Sequence, residues 1–332
     1  MTNTKARKSA VNVGVDVGKD SVWAAVASAG DAVADWARLP VQSFAFSEEG
    51  IAAIVQWVAN FEAIAGVCIE STGRLGWRFM AQLDGALGPV SMANPARTRA
   101  FGDSMGLRDK SDRVDACVLA LYGVAMQPPV TRMRSAVLRE LRECNRLFSV
   151  LSIDRQSYKK RLADGPLSAT VRHELRRTIA LLERRMKQVQ ARMDELVASD
   201  ASLTADVGRI TSIKGVGPRT AFVLLAEFGD LRDYSRNELA SLAGLYPRQY
   251  ESGRSVYKRP RMARRGGGPV RKALYLCAMS ARKHNPQMRQ LYERHVQNGK
   301  SPMAALGILM RKLLLLARSL LIHQTKYDPK YA

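Results

Sequence analysis

The sequence predicts an α/β domain over residues 1–130, coiled-coil helices over 131–200, and a mostly α domain over 201–332. Three observations predict that division. Apolar residues alternate with period two only near the N-terminus, at Val11, Val13, Val15 and Val17, the spacing of a half-buried strand. A 4,3 apolar repeat takes over from Val137, the spacing of packed helices. Charge divides along the same line, with 12 basic and 13 acidic residues in 1–125 against 40 and 17 in 126–332. A neutral half joined to a strongly basic one suggests a core domain attached to a module that grips a polyanion, for which nucleic acid is the usual candidate.

In the first part, the strand from Val11 to Val17 turns at Gly18-Lys19-Asp20 and returns as Val22 to Ala27, with a third strand expected within Ala32–Val41. Ile51, Ile54, Val55, Val58 and Phe61 are spaced as a helix. Gly66 to Ser71 reads as a short strand, Trp77, Met80 and Leu83 as a helix, and Val90 to Met92 as a strand before Asn94-Pro95. A last helix starts near Ser111, a good N-cap, with Val114, Val118 and Leu121 on its buried face. Antiparallel strands followed by alternating helix and strand suggest a ribonuclease-H type of sheet.

Asp16 lies on the polar face of the first strand and Glu70 near the end of the fourth. Asp112 and Asp115, three apart, leave one face of the last helix. Two acids in a first helical turn suit the helix dipole and need no further role. Three or four converging carboxylates, by contrast, can hold a pair of Mg2+ ions about 4 Å apart and clamp a phosphodiester.

In the middle part, Val137, Leu141, Cys144, Phe148 and Leu151 form one apolar stripe. After Gly165-Pro166, the stripe Leu175, Ile179, Leu182, Met186, Val189, Met193 and Leu196 follows. Such seams serve equally a self-folded hairpin or a contact between subunits. Beyond Asp200, the run Gly215-Val216-Gly217-Pro218 before an apolar helix resembles a helix-hairpin-helix turn. Its backbone N–H groups could hold a phosphate, or it could be a tight turn and no more. Ser235 to Glu238 reads as a capping box.

The most basic stretch carries Arg248, Arg254, Lys258, Arg259, Arg261, Arg264, Arg265, Arg271 and Lys272, opposed only by Glu251. Gly253, Pro260 and Gly266 to Gly268 argue against regular helix there, so an irregular phosphate-gripping loop is expected. Helices over Val270–Lys283, Pro286–Gln297 and Met303–His323 follow. Ser252 alone would be a turn residue, although a hydroxyl between Arg248 and Arg254 could attack phosphorus with guanidinium groups nearby.

Four cysteines and four histidines without paired spacing suggest neither a zinc site nor disulfides, hence a reducing cytoplasm. Charges interrupt both the N-terminal apolar stretch and the run Pro302 to Ile322, so no signal peptide and no membrane partner is expected.

The segments GVDVGKDSVWAAV, VCIESTG, RDKSDRVDA, SIKGVGPRTA, AGLYPRQYESGRSV and RGGGPVRKALY resemble the IS110-family transposases, in the same order and across nearly the whole chain. The resemblance implies a RuvC-like DEDD domain in which Asp16, Glu70, Asp112 and Asp115 are the four acids. It also implies a C-terminal domain with Ser252 as nucleophile. Its implied partners are donor and target DNA, a structured guide RNA, and further copies of the chain in a dimer or tetramer that the coiled coil helps assemble. The chain departs from the family pattern at Gly267, where relatives commonly carry His or Asn. A water-using nuclease would keep the acids but not the serine. A sugar-kinase or actin-like reading of Asp16 to Ser21 lacks the second phosphate loop it requires. A non-catalytic nucleic-acid binder leaves the acids unexplained.

Overall fold

The computed structural model describes residues 10–31, 33–61, 63–70, 73–83, 85–107, 111–131, 135–252, 256–263 and 266–329, with the backbone alone at 33–35, 73–74, 248–252 and 256–261. The chain forms two compact units, Met1–Met133 and Arg134–Ala332.

The first unit is built on a five-stranded mixed sheet. Its elements are β1 (Val11–Val17), β2 (Ser21–Ser28), β3 (Val41–Ala45), α1 (Glu48–Val58), β4 (Ile64–Glu70), α2 (Gly73–Leu83), β5 (Val90–Ala93), α3 (Pro95–Ser104) and α4 (Asp112–Met126). The strand order is β3-β2-β1-β4-β5. β1 runs antiparallel to β2 and parallel to β4, and β4 runs parallel to β5. This arrangement fits the ribonuclease-H type of domain expected from the sequence.

Strand alternation gives the sheet two different faces. Val11, Val13, Val15 and Val17 pack with Val22, Ala24, Val26, Val67 and Ile69 against α1 and α2. On the opposite face, Ala25 and Ala27 meet Ala116, Cys117, Ala120 and Leu121 of α4, and Cys68 and Ala93 meet its Leu119 and Tyr122. α4 is therefore apolar nearly all round from Ala116 to Gly123, as a helix lying between other elements must be.

Two expectations for this unit need correction. The segment given to a third strand, Ala32–Val41, instead holds a 3-10 turn over Val33–Arg38, and the strand begins at Val41. Trp36 and Leu39, three apart, both pack toward α4, the spacing of a 3-10 turn and not of a strand. Helix α3 was not expected at all. Asn94 caps it by accepting from the Ala96 amide, and Pro95 occupies the first helical position, where its missing N–H costs nothing.

The second unit is helical except for one hairpin. It contains α5 (Ala136–Ala163), α6 (Ala169–Ala198), α7 (Ala201–Thr211), α8 (Pro218–Phe228), α9 (Arg236–Leu242), β6 (Pro247–Ser252), β7 (Val256–Met262), α10 (Gly268–His284), α11 (Pro286–Gln297) and α12 (Pro302–His323). α5 and α6 pair along Leu151, Leu182 and Met186, with Phe148, Tyr158 and Val189 beside them. Ion pairs Lys159–Glu183 (2.8 Å) and Arg192–Glu140 (2.8 Å) join the two helices. At the base of the pair, Leu141, Met193, Leu196 and Val197 enter one core with α7, α8, α10 and α12. The basic stretch expected as an irregular loop is largely a β-hairpin, with Arg248 opposite Arg261, Tyr250 opposite Lys258 and Ser252 opposite Val256. Pro260 is tolerated because a two-stranded sheet has an outer edge on both strands.

No helix among the described residues is long and apolar enough to cross a membrane.

Candidate functional site

The acidic site is positioned by the close approach of two backbones. Asn12, Gly14 and Asp16 occupy the face of β1 that α4 covers, and glycines fix how the helix lies there. A Cβ on Gly123 would sit 3.2 Å from Asn12 Oδ1, and one on Gly14 would fall inside the backbone of Ala116 and Ala120. The helix therefore runs back along the strand. Four residues of strand from Asn12 to Asp16 span about 13 Å, and eight residues of helix from Gly123 to Asp115 span about 12 Å. Asp115 thus arrives level with Asp16. The sequence signal for this approach is Gly14, which composition alone does not distinguish from a turn glycine.

The other acids converge from two sides. Val15 pairs with Ile69 in the parallel β1–β4 ladder, so Glu70 follows as Asp16's neighbour on the same face. Ser111 caps α4 by accepting from the Val114 amide, which holds Asp112 and Asp115 in the first turn. Between those two acids, Arg113 Nη2 donates to the Ala37 carbonyl at 3.3 Å, tying the start of α4 to the 3-10 turn.

Electrostatics report the convergence. The Asp16 carboxyl is pushed up to about 6, first by burial and then by the negative charges of Asp115, Asp112 and Glu70. Like charges brought together disfavour ionisation, and a cation among them would relieve that repulsion. The oxygen donors suit a hard divalent ion. Among the described residues, no three His, Cys, Asp or Glu side chains already stand as a ready ligand group.

The candidate residues of the second unit are distributed differently. Ser252 closes β6 at the tip of the hairpin, and Arg248, Lys258, Arg259 and Arg261 lie along the two strands. Arg254, Arg264 and Arg265 fall outside the described residues. Lys272 is exposed on α10. Arg271 is engaged internally, donating from Nη1 to the Ala243 carbonyl at 3.1 Å and to the Gly266 carbonyl. It holds the start of α10 to the end of α9. Gly267 has φ +55°, and a Cβ there would stand 2.7 Å from the Ala243 carbonyl oxygen, so the close approach accounts for the glycine.

The helix-hairpin-helix-like turn is also accounted for by packing. Gly215 has φ +99° and lies against the α10 backbone, where a Cβ would come within 2.7 Å of Ala281 Cα. Close by, the buried Cys277 thiol of α10 meets Thr220 Oγ1 of α8 at 3.0 Å.

Comparisons with known proteins agree along the chain. A DEDD transposase model of the IS110 group matches residues 13–165, and the model described as the transposase IS116/IS110/IS902 family matches residues 207–293. The pilin gene-inverting protein of Moraxella bovis is 26% identical over 293 residues, covering 87% of this chain and 90% of that protein. An IS110 43.6 kDa protein of Streptomyces coelicolor is 35% identical over 123 residues, covering 36% of this chain and 30% of its own length. Thermus thermophilus RuvC superposes with a TM-score of 0.27 at 16% identity, over 36% of this chain and 98% of its own. A score that low carries no weight, and the fold of the first unit rests on its own strand order. The two transposase models together span most of both units, and the chain belongs to the IS110 family of transposases, enzymes that recombine DNA.

Proposed function

We propose that this transposase cuts and rejoins DNA at a site formed by Asp16, Glu70, Asp112 and Asp115, with Ser252 as nucleophile and a structured RNA as guide. The observation that carries this reading is that Asp16 and Glu70 are neighbours on the sheet face covered by α4, whose first turn carries Asp112 and Asp115; the raised Asp16 carboxyl agrees with it.

The four carboxylates would hold divalent metal, with Mg2+ the ion their all-oxygen donor set suits. Bound there, it would supply Lewis-acid stabilisation of charge on the phosphate oxygens. The chain's own residues do the rest. β1, β4 and the capped start of α4 fix the carboxylates before DNA arrives. Arg113 anchors the α4 turn and leaves both flanking aspartates directed from one face.

Ser252 Oγ would attack phosphorus, forming a serine–phosphate ester as the bond to one strand end breaks. The serine proton is lost and the departing strand oxygen is protonated, so the step balances. Attack by the hydroxyl of another strand reverses it and rejoins DNA without net hydrolysis. The reading requires hydroxyl and acids to act on one phosphodiester, within one subunit or across two. The name of the Moraxella relative, a gene-inverting protein, is consistent with rejoining of this kind.

The surplus of 39 basic over 17 acidic residues in 134–332 supports binding to DNA and a guide RNA. Exposed Leu147, Val150 and Ile153 on α5 support assembly of several copies through the paired helices.

Trapping decides the chemistry. Stalled reactions run on a denaturing gel should contain a protein–DNA adduct that mass analysis maps to Ser252, absent in Ser252→Ala. Cleavage by Ser252→Ala at the wild-type rate would replace this reading with hydrolysis by water at the same acids.

A further inference from the structure

The acids do not stand alone on their sheet face. In the antiparallel β1–β2 ladder, Asp16 is paired with Trp23. In the β2–β3 ladder, Trp23 is paired with Ser43, and in the parallel β4–β5 ladder Glu70 is paired with Ala93. Partners in a ladder point to the same face. One level of the sheet therefore reads, strand by strand, Ser43, Trp23, Asp16, Glu70, Ala93.

An indole at that position is unusual for packing reasons. The neighbouring positions on the same face of β2 are Ala25 and Ala27, both fully buried under α4. Small residues there let the helix approach. Trp23 comes where the helix ends. It packs only in part against the α4 cluster and is part-buried, and the outer neighbour, Ser43, is small and exposed. The side chain is thus packed against protein yet still reached by solvent. Cross-strand neighbours stand with Cβ atoms about 5 Å apart, so the ring lies within one residue's reach of the Asp16 carboxylate.

We propose that Trp23 is a stacking platform for an unpaired nucleobase of the DNA strand engaged at the four acids. The inference rests on the acid site described above and adds a positioning residue to it. A flat aromatic beside a phosphate-handling site holds a base by its π-face, independent of which base it is. The strand would be placed by one stacked base on the β3 side while its phosphate lies over Asp16 and Glu70. Trp36 is also part-buried against the same cluster.

Photo-crosslinking tests this directly. The full-length protein would be irradiated with a single-stranded oligonucleotide in which 5-iododeoxyuridine replaces thymidine, a probe that crosslinks to aromatic rings it stacks upon. Trypsin releases Trp23 and Trp36 together in the peptide from Asp20 to Arg38, and fragment masses separate them. The expected result is a crosslink at Trp23, retained by Asp16→Asn and lost in Trp23→Leu, which keeps an apolar filler against α4. Trp23→Phe should keep the crosslink, and Trp23→Leu should weaken binding of the oligonucleotide about tenfold. It should not weaken binding of an abasic version. A urea midpoint for Trp23→Leu equal to wild type would show that folding is intact, and Trp23→Phe serves if it is not. Crosslinks confined to other residues, or equal loss of affinity for the abasic probe, would overturn the proposal. Because these readouts need binding alone, they stand apart from the acid site, which fails separately if Asp16→Asn still recombines.

Discussion

The two units carry their charge in opposite ways. In the first, 13 basic and 13 acidic residues cancel, yet four acids are crowded at one end of one sheet face. In the second, 39 basic residues face 17 acidic ones, and its most buried acid is well matched. Asp206 accepts from Arg209 at 2.7 Å and from Arg232 at 2.6 Å. Crowded like charge held by rigid backbone costs stability and is retained where a ligand will neutralise it. Dispersed like charge costs little and adds affinity for a polyanion. On the proposed reading, the first unit is organised for chemistry at one point and the second for grip along a surface.

The largest effects should come from breaking the crowded site. Asp16→Asn or Asp115→Asn is expected to lower recombination by at least about a hundredfold, measured on a plasmid substrate, with the circular dichroism spectrum unchanged. Stability should move the other way. The folded Asp16 carboxyl titrates at about 6, above its ordinary 3.8, so the fold holds that proton more tightly than the unfolded chain does. Metal-free protein should therefore lose stability as pH rises from about 4 to about 6. Asp16→Asn should remove that loss and gain on the order of 1 kcal/mol at pH 7, discounted for partial exposure. A flat pH profile in wild-type protein would mean that neither burial nor the neighbouring acids raise the Asp16 carboxyl.

Gly14→Ala should come next. Its new Cβ would overlap α4 backbone at Ala116 and Ala120, and backbone cannot rotate aside as a side chain can. A cost of about 3 kcal/mol is expected in urea unfolding, together with loss of recombination as Asp115 moves from Asp16. Retained activity with lowered stability would show that Asp112 and Asp115 need not be held so closely.

How much of this could be read from the sequence follows the same contrast. The placement of the acids was legible because strand alternation and the three-residue helical spacing assign faces without any tertiary knowledge. Asp16, Glu70 and the pair Asp112 and Asp115 then have one face in common. Capping was legible for the same local reason at Ser111 and Ser235. What escaped depends on distant backbone. Gly215 looked like a phosphate turn, but its conformation answers to Ala281 on α10. Arg271 looked like part of the grip, but carbonyls of Ala243 and Gly266 occupy it. The hairpin of β6 and β7 was hidden because its glycines and prolines obscure a period-two pattern, and Trp23 was hidden because only strand pairing sets it beside Asp16.

The dispersed charge should respond in smaller steps. Replacing Arg261, Arg264 and Arg265 by Ala should lower the log–log salt slope of nucleic-acid binding by about 2, since each phosphate no longer neutralised is worth about 0.7 to 0.9. Arg271→Ala should leave that slope unchanged and instead cost about 1 kcal/mol of stability, because its partners are backbone carbonyls. A slope that falls for Arg271→Ala and holds for the triple variant would reverse the assignment of these residues.

The smallest effect concerns Asn145, at the base of the α5–α6 pair. Its side chain is buried, and neither Nδ2 nor Oδ1 has a hydrogen-bond partner among the described residues. A buried amide without partners loses its hydration and gains nothing in return. Asn145→Leu, which keeps the branching and the number of heavy atoms, should therefore stabilise the protein by about 1 kcal/mol, read as a higher urea midpoint at constant slope. A polar group inside a helical seam also disfavours wrong registers, in which it would meet only apolar partners. The gain in stability should then be accompanied by broader assembly states in sedimentation. If Asn145→Leu destabilises instead, the amide has a bound partner, and this position belongs with the matched charges of the second unit.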